Sequence, residues 1–142
     1  MAALVVDASV TLSWCFEDER SSWTDTILDR LGRGDRTTVP AHWPTEVTNG
    51  LLTGIRRQRI RSGRAEQFWD ELSVLPIDVE PALSAQQART TLALSQQFEL
   101  TAYDAAYLEL AIRRGLPLAT LDAALSRAAT GSGVRLIVGE EI

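Results

Sequence analysis

Nineteen acidic side chains run through the 142-residue sequence, and their positions separate the few suited to chemistry from the many that solvate a surface. Asp7 directly follows the apolar run Leu4-Val5-Val6, and Asp122 directly follows Leu118-Ala119-Thr120-Leu121. Both read as acids at the carboxyl end of a buried strand, the edge at which open parallel sheets bind ligands. Glu46 in Pro44-Thr45-Glu46-Val47 and Asp104 in Leu100-Thr101-Ala102-Tyr103-Asp104 fall near helix starts. In an alternating strand–helix chain those starts face the same edge, so four acids from distant segments are predicted to converge. Carboxylates so close repel one another and raise each other's pKa unless a cation neutralises them. Hard oxygen ligands, in a chain with His42 as its one histidine and Cys15 as its one cysteine, select Mg²⁺ or Mn²⁺ over zinc. A divalent ion held there suits phosphodiester hydrolysis, because it polarises a phosphate oxygen and lowers the pKa of water. An aspartate at a helix start also caps the helix and complements its dipole. Taken singly, Asp7, Asp104 and Asp122 favour capping; the joint placement of all four acids carries the chemistry.

Composition narrows the alternatives. All 14 basic residues are arginine, and the chain has no lysine. That excludes a P-loop, a Schiff-base enzyme, and phosphoryl-transfer sites that pair a lysine with an aspartate. The lone Cys15 excludes an internal disulfide and a multi-cysteine zinc cage. A net charge of −5 argues against attraction of nucleic acid by the overall field, although four of those charges belong to the predicted cluster. The length suits a single domain, residues 1–142. No apolar run approaches the roughly 20 residues of a membrane span. The N-terminus lacks the basic region of a signal peptide, so a cytoplasmic protein is expected.

The elements that must position the acids are legible as alternating patterns. Strands are predicted at Leu4–Val6, Thr37–Pro40, Leu75–Val79 (at an edge), Pro117–Thr120 and Val134–Val138. Helices are predicted at Ser9–Phe16 with Asp7 or Ser9 as cap, at 21–31, Thr45–Arg57 and 63–74, from about Pro81 to Phe98, and at Thr101–Arg114 and Ala123–Ala129. In the Pro81–Phe98 helix, Leu83, Ala88 and Leu92 are expected to face inward. In the next, Tyr103, Ala106, Tyr107, Leu110 and Ala111 form the inward stripe, and Gly115 closes the helix. Gly50 and Gly54 weaken their helix by about 1 kcal/mol each, which close packing against a neighbour, such as a second subunit, would justify. Alternation of strands and helices predicts an α/β fold with a mainly parallel sheet.

Four segments carry a family resemblance, in order and from end to end of the chain. They are Val5-Val6-Asp7-Ala8-Ser9, Pro40 to Leu51 (PAHWPTEVTNGL), Leu100 to Ala111 (LTAYDAAYLELA) and Leu118-Ala119-Thr120-Leu121-Asp122. Together they resemble the signatures of PIN-domain ribonucleases, the short bacterial VapC-type toxins above all. The resemblance implies a three-layer α/β/α sandwich and Mg²⁺- or Mn²⁺-dependent endonucleolytic cleavage of RNA. It also implies a homodimer silenced by a VapB-type antitoxin. By position it makes Asp7, Glu46, Asp104 and Asp122 the metal-binding acids, Ser9 and Thr120 hydroxyl neighbours, and Asn49 a polar neighbour. Ala123 and Ala124 stand where some relatives carry a further acid, so a second complete metal site is not expected. Two other readings remain: a catalytically silent scaffold of the same fold, and a nuclease of RNA maturation without an antitoxin.

Arg56, Arg57, Arg59, Arg61 and Arg64 fall within nine positions. Such a cluster suits RNA phosphates or an acidic antitoxin segment, and equally a solvated helix end. His42 reads as structural, Cys15 as packing, and Trp14, Trp23, Trp43 and Trp69 as core. One or two early tryptophans could instead line a groove for a partner helix.

Overall fold

The computed structural model describes residues 2–138. Four short strands, β1 (Ala3–Val6), β2 (Arg36–Val39), β3 (Ile77–Val79) and β4 (Leu118–Ala119), form one parallel sheet in the order β3-β2-β1-β4. Among the described residues seven helices surround it: α1 (Ala8–Ser13), α2 (Ser22–Gly32), α3 (Trp43–Arg56), α4 (Ser62–Ser73), α5 (Ala85–Phe98), α6 (Ala102–Arg114) and α7 (Ala123–Gly131). The architecture is a three-layer α/β/α sandwich. None of the helices among the described residues is long and apolar enough to cross a membrane.

Strand β1 is the pivot. Leu4, Val5 and Val6 are fully buried, as an unalternating apolar run between two helical layers requires. β1 pairs with β2 through Leu4 and Thr37, and with β4 through Val5–Leu118 and Val6–Ala119. The chain moves from β1 outward through β2 to β3, then returns to the other side of β1 for β4. The carboxyl ends of β1 and β4 therefore flank the point where the winding reverses, and a crevice opens there.

Several boundaries differ from the sequence reading. The first helix stops at Ser13, short of Phe16, and a 3-10 turn, Glu17–Glu19, follows it. The fifth strand expected at Val134–Val138 is reduced to one parallel bridge between Leu118 and Leu136, with Ile137 N–H donating to the Leu118 carbonyl at 2.9 Å. Helix α5 starts at Ala85, capped by Ser84, so Pro81 and Leu83 precede it. Its inward face is Gln87, Thr91, Leu94, Ser95 and Phe98, whereas Leu83, Ala88 and Leu92 are exposed, contrary to expectation. Threonine and serine can occupy that inward face because their hydroxyls bond back along the helix, Thr91 to the Gln87 carbonyl and Ser95 to that of Thr91, both at 2.8 Å. Tyr103, also expected inside, is exposed.

The glycines of α3 have a neighbour within the chain. A Cβ on Gly50 would lie 2.3 Å from Leu12, and one on Gly54 would lie 2.6 Å from the Phe16 ring. They allow α1 and the segment after it to press against α3, so no second subunit is needed to explain them. Trp14 and Trp43 are buried, with indole N–H groups donating to the Thr24 carbonyl at 2.8 Å and to Thr11 Oγ1 at 3.1 Å. A half-buried ion pair links Arg113 to the buried Glu109, 2.8 Å apart on α6, and Arg113 also reaches Glu80 after β3 at 2.7 Å.

Candidate metal-binding active site

Asp7 leaves β1 with its backbone N–H bound to the Ala119 carbonyl of β4 at 3.1 Å, so the two strand ends are joined where the acids emerge. It caps α1: Oδ1 accepts from Val10 N–H at 3.1 Å and from the Ser9 hydroxyl at 2.6 Å. Oδ2 accepts from the Thr120 hydroxyl. Thr120 Oγ1 in turn accepts from Asp122 N–H at 3.0 Å, and Ser9 Oγ accepts from Leu121 N–H at 3.0 Å. Two hydroxyls thus lace the β1 and β4 ends together around one carboxylate. Asp122 caps α7, with Oδ2 accepting from Leu125 N–H at 2.8 Å. Asp104 does not cap; that role falls to Thr101, whose Oγ1 accepts from Asp104 N–H at 3.1 Å.

Glu46 comes from the first turn of α3, which opens with Trp43 and Pro44. The Tyr107 hydroxyl donates to Glu46 Oε1 at 2.6 Å, and His42 Nε2 lies 3.1 Å from the same oxygen. The His42 ring meets Tyr107 edge-on at 5.3 Å and lies 5.5 Å from Tyr103. Burial and the negative charge of Glu46 hold the Tyr107 phenol well above its ordinary pKa. It therefore stays a donor to Glu46.

Asp7, Ser9, Glu46, Asn49, Asp104 and Asp122 line one open cavity of about 340 Å³, together with Ala8, Leu12, Gly50 and Tyr107. No basic residue lines it among the described residues. Thr120 lies against this group through Asp7, while the five clustered arginines lie elsewhere. Burial, opposed by the two hydroxyls and the Val10 N–H, pushes the Asp7 carboxyl up to about 6, and the charge of Asp104 adds to the rise. Burial, then the charges of Asp122 and Glu46, raise Asp104.

Among the described residues no three acids, histidines or cysteines already converge on a single ligating point. The donor set still fits a hard divalent cation. It is all oxygen, no arginine lines it among the described residues, and burial together with neighbouring carboxylates raises Asp7 and Asp104, a cost that a cation would relieve.

The arginine cluster divides. Arg59 pairs with Asp18 and Glu19, each at 2.8 Å, and lies over the Phe16 ring; Arg64 pairs with Glu71 at 2.8 Å. Arg56, Arg57 and Arg61 are exposed and make no ion pair among the described residues. The Tyr107–Glu46 bond escaped the sequence reading, which took Tyr107 only as core. The signal available was a tyrosine three residues after Asp104, on the buried face of an acid-bearing helix.

A parallel sheet wound in this order, with acids lining a crevice at its switch point, defines an acid-bearing α/β class. The sequence profile of the PIN domain matches residues 4–131, and the chain belongs to the PIN-domain family. It is 30% identical over 123 residues to "Ribonuclease VapC3" of Pyrobaculum aerophilum, covering 87% of this chain and 92% of that protein. Three solved structures share the fold. A Pyrobaculum aerophilum protein superposes with a TM-score of 0.69 at 19% identity, covering 89% of this chain and 84% of that one. VapBC2 of Rickettsia felis, bound to a DNA fragment from its promoter, gives 0.68 at 11% identity, covering 95% and 97%. FitAcB of Neisseria gonorrhoeae gives 0.60 at 16%, covering 97% of each chain.

Proposed function

We propose that the chain is a divalent-metal-dependent endoribonuclease and the toxin half of a toxin–antitoxin pair. The observation that carries this reading is the meeting of Asp7, Glu46, Asp104 and Asp122, from four separate stretches of chain, in one cavity at the switch point of the sheet. The ribonuclease relative, aligned over most of both chains, supports RNA as substrate.

Asp7, Asp104 and Asp122, with help from Glu46, would hold Mg²⁺ or Mn²⁺. When bound, the ion supplies the positive charge that offsets the acids, polarises the scissile phosphate and eases ionisation of water. The chain's own residues do the positioning. Ser9 and Thr120 fix both oxygens of Asp7, Leu125 N–H fixes one oxygen of Asp122, and Tyr107 fixes one oxygen of Glu46, leaving its other free to ligate. Asn49, one helical turn after Glu46, lines the cavity, and its amide would donate to a phosphate oxygen there.

The likeness to VapBC2 and FitAcB supports a VapB-type antitoxin as partner, and the pair would act in the cytoplasm. Arg56, Arg57 and Arg61 are placed to meet RNA phosphates or an acidic stretch of that antitoxin, whereas Arg59 and Arg64 serve the fold. The exposed Ala88 and Leu92 on α5, with Leu83 before it, support a homodimer. Brief induction of the wild-type gene followed by sequencing of RNA ends tests the activity. Discrete new ends are expected with wild type and not with Asp104→Asn. Identical end profiles would overturn the reading.

A further inference from the structure

Most large aromatic side chains of the protein are buried or half-buried, but Tyr103 is 63% exposed. It sits one residue before the cavity-lining Asp104, in the first turn of α6. Its backbone is held rigid there by the Thr101 cap, which accepts from Asp104 N–H. One side of Tyr103 is supported by the His42 ring, 5.5 Å away and tilted by 58°; His42 rests edge-on against the buried Tyr107, which bonds Glu46. A continuous aromatic column therefore runs from solvent to a site carboxylate.

Such a column answers a problem that the acids create. The cavity wall carries four carboxylates and no basic residue among the described ones, so it repels a phosphate backbone everywhere except at a bound cation. A nucleotide needs a second, uncharged hold beside the cation if its phosphate is to stay in register. The exposed ring of Tyr103 offers a π-face, and stacking on such a face tolerates any base. A base inside a duplex is already stacked and cannot use it.

We propose that Tyr103 is a substrate-positioning residue that stacks on an unpaired base next to the scissile phosphate. This rests on the endoribonuclease reading above. The ring, not the hydroxyl, makes the contact, and His42 sets its angle.

The test uses the full chain and two probes: a quenched-fluorophore pool of random single-stranded oligoribonucleotides for cleavage with Mn²⁺, and a fluorescein-labelled copy of that pool for binding by anisotropy. Tyr103→Ala should raise KM and weaken binding about tenfold, with kcat changed less than about threefold. Tyr103→Phe and Tyr103→Trp should restore wild-type values, and annealing the pool to its complement should abolish the difference between wild type and Tyr103→Ala. Equal RNA affinity of wild type and Tyr103→Ala overturns the stacking role, as does a Tyr103→Phe variant as weak as Tyr103→Ala. A fall in kcat alone also overturns it, since that points to displacement of Asp104. Failure of the wild type to cleave, with binding still dependent on the ring, overturns the nuclease reading and leaves the stacking role supported.

Discussion

Asp7→Asn separates the site's cost to the fold from its use. The Asp7 carboxyl is buried and rises from 3.8 to about 6, chiefly because burial penalises its charge. Its folded pKa exceeds its unfolded one, so between those values the folded state holds a proton that the unfolded state has released. Stability therefore falls as pH climbs from about 4 to about 6 and stays low above that range. The full difference corresponds to about 3 kcal/mol at pH 7.5, falling to about half of that at pH 5. Asparagine keeps the geometry. Its Oδ1 still accepts from Ser9 and Val10 N–H, its amide faces the Thr120 oxygen, and asparagine caps a helix as well as aspartate does. Loss of charge-assisted bonds subtracts from the gain, so Asp7→Asn should stabilise the metal-free protein by about 1–3 kcal/mol at pH 7.5. Urea denaturation in EDTA at pH 7.5 and pH 5 measures both values. In saturating Mn²⁺ the order should reverse, because only the wild type gains binding energy. A variant less stable than wild type in EDTA, or a gain independent of pH, would refute the reasoning.

Other perturbations have outcomes of different kinds. Thr120→Val removes the hydroxyl shared by Asp7 and Asp122 N–H, and calorimetry should show Mn²⁺ affinity about tenfold weaker. Glu109→Gln strips the buried partner from Arg113, which keeps Glu80; urea denaturation should show a loss of about 2 kcal/mol, with activity per folded molecule unchanged. Gly54→Val should cost about 2 kcal/mol against the Phe16 ring, whereas Gly63→Ala, with open space around its Cβ, should gain a few tenths by the same measurement. The triple variant Arg56→Ala/Arg57→Ala/Arg61→Ala should flatten the salt dependence of single-stranded RNA binding by a slope of about 2, if all three meet phosphates. Arg59→Ala should instead lower the melting temperature, because Arg59 is committed to Asp18, Glu19 and Phe16.

Legibility followed the range of the interactions. Asp7 and Asp122 could be read because a buried parallel strand is a nearly bare apolar run and the first acid after it marks its end. Glu46 and Asp104 could be read because proline and threonine announce helix starts. The inward face of α5 could not, since Thr91 and Ser95 bury their hydroxyls against their own helix and so mimic a polar surface. Nor could the Tyr107–Glu46 bond, whose partners are 61 residues apart, or the division of the arginine cluster, which depends on where the Glu17–Glu19 turn lands. In both cases tertiary placement decides the partner; local pattern gives only that Tyr107 follows Asp104 on the buried face of the same helix.

The central claim, that these four acids hold a divalent ion and thereby cut RNA, is tested most directly by cleavage of a fluorogenic RNA pool across a Mn²⁺ titration. Wild type, Asp7→Asn and Asp104→Asn would be run side by side. Cleavage by the wild type should be abolished by EDTA and restored by excess Mn²⁺ or Mg²⁺, with both variants about a hundredfold slower or worse. Wild-type cleavage that persists in EDTA, or both variants cutting at the wild-type rate, would contradict it.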